Sequence, residues 1–557
     1  MRKTEINRKG MLIWLLILML QVIAAFCFCR LKTGYHYDEY YSYYSSNATW
    51  GVGPWDQVWK TGNEIWQEFA VLEGEQFNFS RVVEMQTYDV HPPVYYLILH
   101  TFCSLVPGVF TKWTGLAVNL LFFVGSWLLL SWLAWHVGGR RKSVVYASCL
   151  LYGFNPAVFG GIMFVRMYTL LGFWILLITC LHVKALEERK RGWKFYLPLA
   201  AVVVAGFLTH YYFAVYLFFL AAAMEFYLLL EKESGKDLAG RLGHCFGYGF
   251  VTVGAMLASV VLYPASASHI FKGYRGTEAM GAFFDLSNTL GRITFFTGLL
   301  NEYAFGAMLP LLVLVLLLLA LTWGAMHKIR KNKDGDPEKI SLGMFAERQR
   351  VRLILGAASL GYFAVVTKTA LLNAEEANRY QLPVYGLLLM LSMVLFVLLV
   401  SKVSVMLNGQ VRERVCGVLT AAMILVLTAG QIVGLCSGKV LFLYQEDRAA
   451  IEAAKENRET VVVYFFGNGQ KWMTWDDSLE LMQYDNLYFV SLSDEEALKC
   501  ADFSDPRITE ADRLLVYCMR NDNSQTALDV LLDSCANLNQ CEQVRELLYC
   551  DLYELKP

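Results

Sequence analysis

The chain has 557 residues, 56% of them hydrophobic and 17% charged, with a mean hydropathy of +0.39 and a formal net charge of −1. A soluble enzyme would carry about one-quarter charged residues and no repeated apolar runs of ~20 residues, so an ordinary soluble globule is excluded. Near-neutrality excludes a bulk electrostatic trap for nucleic acid. What remains is a polytopic membrane protein, because an apolar helix of about 20 residues crosses hydrocarbon with every backbone group satisfied internally.

In chain order, the first apolar run, Met11 to Cys29, follows Arg2, Lys3, Arg8 and Lys9. It is long and lacks a small-residue cleavage site, so it reads as an uncleaved span. About eleven spans are predicted, at 11–29, 113–136, 143–164, 167–184, 195–210, 211–230, 245–263, 304–326, 353–372, 381–401 and 415–436. Their connections alternate between two classes. Arg140-Arg141-Lys142, Lys184 to Lys194, Lys232 to Arg241, His327 to Arg352 and Lys402 to Arg414 are short and basic, and with the amino terminus they read as cytoplasmic. The segments 30–112, the junctions at Arg166 and His210, 264–303, 373–380 and everything after 436 are poorer in Lys and Arg, and read as outer. Val94 to Pro107 is apolar but only 14 residues long. As a crossing it would invert every later loop, so an interfacial or re-entrant helix on the outer side is expected.

The final 120 residues change character. Short β-like runs (Val461–Phe466, Leu487–Leu492, Leu514–Met519) alternate with helix-like stretches near 475–485, 494–500, 523–535 and 541–550, which predicts a small α/β domain with a mainly parallel sheet. The expected architecture is an all-α polytopic membrane domain (1–437) with a large first outer loop (30–112), followed by an extracytoplasmic α/β domain (438–557). Five of the 13 cysteines (Cys500, Cys518, Cys535, Cys541, Cys550) fall in that last domain. Spacing assigns no bridges among them, and none has zinc-ligand spacing. Two acceptor triplets for N-glycosylation, Asn47-Ala48-Thr49 and Asn78-Phe79-Ser80, lie in the first outer loop and recur by chance.

Several outer segments carry chemistry-bearing residues. Tyr35-His36-Tyr37-Asp38-Glu39 places an acidic pair just past the first span, where a carboxylate can take a proton from an acceptor hydroxyl, or be an ordinary solvated loop charge. In Asp89-Val90-His91-Pro92-Pro93, Pro92 holds His91 extended and Pro93 can open a helix; a capped turn is the plainer alternative. Arg166, followed by Tyr168, either snorkels or meets an anion. His210 sits in a tight hairpin, Lys368 lies about one turn inside a span, and Arg379-Tyr380 follows in the next outer loop. Lys368 and Arg379 together would make a phosphate clamp. Carboxylates facing cations at one membrane boundary suit an inverting transfer from a lipid phosphate. Trp472 to Asp477 reads as the start of an amphipathic helix.

The Asp38-Glu39 pair, His91-Pro92-Pro93, Arg166-Met167-Tyr168, Thr209-His210-Tyr211 and Arg379-Tyr380 through Pro383 resemble the GT-C superfamily. The branch is similar to protein O-mannosyltransferases and aminoarabinose transferases (glycosyltransferase family 39), over about residues 1–400. The resemblance implies a polyprenyl-phosphate-sugar donor and Asp38 as catalytic base beside Glu39. Arg166, His210, Lys368 and Arg379 are then expected on the donor phosphate, and Asp89, His91, Tyr168 and Tyr380 as positioning groups. No cofactor is demanded, although Asp38, Glu39 and a donor phosphate could share a divalent metal ion. The acceptor is an unidentified envelope glycan, lipid or protein. Alternatives are an O-antigen-type polymerase or ligase, a transporter or flippase, which would show inverted repeats and midplane charges, and a non-catalytic scaffold for the outer domain.

Overall fold

The computed structural model describes residues 8–48, 53–230, 238–334, 342–407, 409–492 and 495–557. Arg2, Lys3, Thr49 of the first glycosylation triplet, and Lys232 lie outside them. The chain separates into two compact units. A helical unit takes the described part of 1–29 together with 86–95 and 116–441; a sheet unit takes 30–85, 96–115 and 442–557.

Nine helices among the described residues are long and apolar enough to cross a membrane, from Arg8–Leu31 and Lys112–Val137 to Ala374–Val403 and Gly409–Cys436. A tenth crossing is counted if the pair Lys142–Gly153 and Pro156–Met163, bent by 50°, is one broken span. The break has a local cause. Pro156 has no N–H to give the preceding turn, and the Asn155 side chain caps the second helix by accepting from the Ala157 N–H at 2.9 Å. The expected span at 195–210 is a shorter helix, Trp193–Phe207. Its 15 residues rise about 22 Å, less than the hydrocarbon thickness. The apolar stretch at 94–107 forms the 11-residue helix Val94–Ser104.

Polar groups inside the helical unit are spent on bridging helices. Gln21 is fully buried and donates to the carbonyls of Cys149 (3.0 Å) and Leu150 (3.3 Å), while its oxygen accepts from the Trp127 indole at 2.8 Å. The helix Asn378–Val403 is buried on most faces and packs against 142–153, 168–188 and 342–369, which makes it the axis of the unit.

The sheet unit holds six strands: β1 (Val58–Lys60), β2 (Val461–Phe466), β3 (Asn486–Ser491), β4 (Leu514–Met519), β5 (Gln540–Glu546) and β6 (Cys550–Lys556), in the order β1-β3-β2-β4-β6-β5. β2 is parallel to both β3 and β4. Its Val-Val-Val-Tyr-Phe-Phe run is buried throughout, as a strand covered on both faces must be. The remaining pairings are antiparallel, so the sheet is mixed rather than mainly parallel. Residues 541–550, expected as a helix, supply most of β5 and the turn into β6. Pairing with β6 overrides the helix propensity of this Glu- and Gln-rich segment. β1 comes from the first loop, so the unit containing 442–557 is assembled from separated segments and extends beyond a continuous 438–557 block.

Replacing Gln21 by Leu should leave the Trp127 N–H buried without an acceptor and cost about 1–3 kcal/mol. Thermal unfolding of detergent-solubilised protein would show it as a lowered Tm.

Candidate functional site

In the sheet unit the acidic pair divides. Helix Tyr37–Asn47 begins with a capping box in which the Glu39 carboxylate accepts from the His36 backbone N–H (2.8 Å) and His36 Nδ1 accepts from the Asp38 N–H (3.0 Å). Glu39 also pairs with Lys32 at 2.9 Å, both side chains fully buried, and Lys32 donates further to the Phe442 carbonyl at 2.7 Å. Glu39 therefore fixes the first loop to the carboxyl-terminal segment. Asp38, on the same turn, keeps 19% of its side chain exposed, with its carboxylate 3.8 Å from His36 Nδ1. Among the described residues no three His, Cys, Asp or Glu side chains are grouped to hold a metal ion.

The carboxyl-terminal segment adds carboxylates to this neighbourhood. Trp472 to Asp477 lies in a 3-10 stretch, Asn468–Asp477, rather than an amphipathic α-helix. Trp475 packs on Tyr41 and Tyr44, and Trp472 on Tyr37. Burial, with like charge from Glu446, Asp476 and Glu480, lifts Asp447 to about 7. Burial lifts Asp476 to about 6 against the pull of His36, and Asp477 to about 7 against the Tyr464 hydrogen bond. The hydroxyl of Tyr464 donates to Asp477 at 2.7 Å.

The helical unit contains a cavity of about 420 Å³. His91, Pro92, Tyr168, the hairpin 210–212, His269, the helix Tyr274–Phe284, Arg292 and Tyr380 form its walls. His91 Nδ1 lies 3.0 Å from Asp89 Oδ2, and the Arg166 guanidinium lies 3.5 Å from His91 Nε2. This geometry fits a proton on Nδ1 and a lone pair on Nε2 facing the arginine. Burial pushes Asp89 up, but His91 and then Arg166 outweigh it and hold the carboxyl below its ordinary value. Arg379 is buried, its guanidinium 5.2 Å from the ring centres of both Phe164 and Tyr380, with Glu376 at 3.7 Å. Tyr168 stands between His210 and Tyr380, at 5.5 Å from each ring.

Thus Asp89, His91, Arg166, Tyr168, His210, Arg379 and Tyr380 belong to one neighbourhood of the helical unit, whereas Asp38 and Glu39 belong to the sheet unit. Lys368 is occupied locally: it donates to the Asp285 carbonyl and to Thr289 Oγ1 (2.8 Å), at the start of helix Thr289–Leu299. That helix carries Arg292, which sequence reasoning missed together with Arg275 and His269. Arg292 is 8% exposed and donates to the carbonyls of Thr367 (3.3 Å) and Ala370 (2.7 Å), at the end of helix Leu342–Thr369. Its Nε has no hydrogen-bond partner. Arg275 is paired with Glu278 at 3.1 Å. The only sequence signal for Arg292 was its place in the long segment 264–303, since nothing adjacent forms a motif.

The backbone of ArnT from Cupriavidus metallidurans, in a crystal structure bound to undecaprenyl phosphate, superposes with a TM-score of 0.52 at 11% identity, covering 98% of each chain. The two chains share a fold over nearly their whole lengths. The apo form of the same ArnT gives 0.47 at 10% identity, over 96% of this chain and 97% of that one. An oligosaccharyltransferase from Archaeoglobus fulgidus gives 0.42 at 10% identity, over 93% of this chain and 71% of that one. No family profile and no characterised protein sequence matches the chain.

Two predictions follow from the sheet unit. Lys32→Met should destabilise it by about 3–5 kcal/mol by removing the lysine that faces the buried Glu39 carboxylate, and Glu39→Met in the same chain should recover much of that loss. Chemical denaturation of the single and double variants measures both. Because the folded-state values of Asp447, Asp476 and Asp477 lie above the unfolded value near 4, folding favours their protonated forms. Stability should be greatest below about pH 4 with respect to these groups and fall as pH rises through about 6 to 7. Asp477→Asn should flatten that slope in melts recorded across pH.

Proposed function

We propose that the protein is a glycosyltransferase that moves a sugar from a polyprenyl-phosphate donor to a glycan, lipid or protein acceptor at the outer face of the membrane. The observation that carries this reading is the cavity of the helical unit, whose aromatic and histidine walls include Arg292, a buried arginine with no carboxylate in ion-pair contact among the described residues, Asp285 acting on it only through space. A buried guanidinium whose hydrogen bonds go to backbone carbonyls has its charge only partly offset, and a ligand phosphate would balance the rest. The ArnT structure that shares the fold was solved with undecaprenyl phosphate, and that ligand class is carried here as part of the proposal.

In this reading the donor phosphate is bound by Arg292 with Arg166 and Arg379, His210 lies beside it, and Lys368 acts by fixing the helix that bears Arg292. Asp89 and His91 orient Arg166; Tyr168 and Tyr380 shape the wall. Asp38 is the base, its neighbour Glu39 being engaged by Lys32 and the His36 N–H. The acceptor O–H gives its proton to Asp38 as the oxygen attacks the anomeric carbon. The bond from that carbon to the phosphate oxygen breaks with inversion, and the lipid phosphate leaves with the bonding pair while the arginines stabilise its charge. The amino terminus is assigned to the cytoplasm and the sheet unit to the opposite side.

The test is consumption of labelled polyprenyl-phosphate sugars by protein in lipid nanodiscs, with envelope extract as acceptor. Asp38→Asn should lower turnover by ~10²-fold or more. Arg292→Gln and Arg379→Ala should act chiefly on the donor KM, raising it about tenfold. Full activity in all three variants, or no donor consumed by the unmodified protein, would overturn the assignment.

A further inference from the structure

Arg166 does not stand on a helix. It follows helix Pro156–Met163 in a short extended link, with Phe164 at φ −91°, ψ 106°, before the next span starts at Tyr168. A link of this kind inside a membrane unit has carbonyls with no helical partner, and each needs a donor. One side chain supplies most of them. The Asn119 amide donates towards the carbonyls of Phe164 (2.7 Å), Ile162 (3.0 Å) and Gly161 (3.4 Å), and Thr169 Oγ1 adds a bond to Gly161 at 2.9 Å. Asn119 is 1% exposed. Its oxygen accepts from the Tyr95 hydroxyl at 3.4 Å, and Tyr95 lies on the helix that opens just after His91-Pro92-Pro93.

One residue from the span Lys112–Val137 thus grips both segments whose side chains meet as the Arg166–His91 contact. We infer that Asn119 is a positioning residue for Arg166. It sets where the guanidinium stands against His91, and through it how the phosphate of a lipid carrier is bound. The inference rests on the donor reading given above. An asparagine suits the task because a single planar group offers donors on one side and an acceptor on the other. Leucine has the same branched skeleton, though bulkier, and neither function. Aspartate keeps the acceptor for Tyr95 but turns an oxygen towards carbonyl oxygens.

The experiment has two arms. In the first, a cysteine replaces the buried Val165, and its maleimide labelling is followed site by site by mass spectrometry. Asn119→Leu and Asn119→Asp should both raise labelling severalfold over the parent, and unchanged labelling overturns the inference. In the second arm, undecaprenyl phosphate binding in micelles is measured for the parent, Asn119→Leu, Arg166→Ala and the double variant, with inorganic phosphate as a control for headgroup-only binding. Asn119→Leu should weaken carrier binding about tenfold in the parent and have little further effect once Arg166 is gone. A purely structural role for Asn119 would give an equal loss in both backgrounds, and that result also overturns the inference. If the parent binds no carrier while labelling still rises, the donor reading fails and the grip of Asn119 on the link stands.

Discussion

Backbone that leaves helical geometry inside hydrocarbon must find its hydrogen bonds elsewhere, and the helical unit is organised around the places where this happens. At the break before Pro156, Gln431 reaches the carbonyls of Leu151 and Ala304, and Asn155 reaches Ala304 as well. At the link before Tyr168, Asn119 serves three carbonyls. At the hairpin after Phe207, Thr209 donates back to Ala205 and accepts from the Trp174 indole. At the end of helix Leu342–Thr369, Arg292 covers the open carbonyls. Arg166, His210 and Arg292 each lie on, or close, one of these interruptions. Several of the groups able to do chemistry sit where the helices fail, because the open backbone there draws polar side chains inward.

The charges follow the same economy of partners. Lys32 and Glu39 are sealed from water together, and their mutual attraction is supplemented by a backbone carbonyl on one side and a backbone N–H on the other. Asp89, His91 and Arg166 form a second compensated series, anion to imidazole to cation. Arg292 differs: among the described residues it hydrogen-bonds to neutral carbonyls and has no carboxylate in ion-pair contact. An arginine left in this condition raises the free energy of the empty cavity, and a bound anion would lower it. The contrast between these buried cations lies in their partners, which sequence position does not show.

Much of this was legible in the chain, and the rest was not for definable reasons. The long apolar runs translate directly into helices because a helix satisfies every backbone group within the one segment that crosses hydrocarbon. The three strands β2, β3 and β4 are marked by short apolar runs, continuous in β-branched and aromatic residues only in β2. β5 was misread because Gln-Cys-Glu-Gln-Val-Arg-Glu favours a helix locally and becomes a strand only through pairing. β1 has three residues and no pattern at all. His91, Arg166 and Arg379 stood out as isolated charges beside prolines and aromatics. Arg292 did not, since what distinguishes it is its set of backbone partners, 75 and 78 residues away in sequence. Equally, the different fates of Asp38 and Glu39 depend on Lys32 and Phe442, and adjacency alone could not separate them.

The pairing of Lys32 with the Phe442 carbonyl joins residues 410 positions apart, and β1 likewise has no sheet to enter until β3 exists. At elongation rates of about 5–20 residues per second, the first loop leaves the ribosome roughly 20–80 s before its partners. During that interval a buried lysine, a buried glutamate and a row of tyrosines have no finished core to enter. Biogenesis of this protein therefore imposes a waiting period on the loop after the first helix, whose core is completed only once the segment from Phe442 onward has been made.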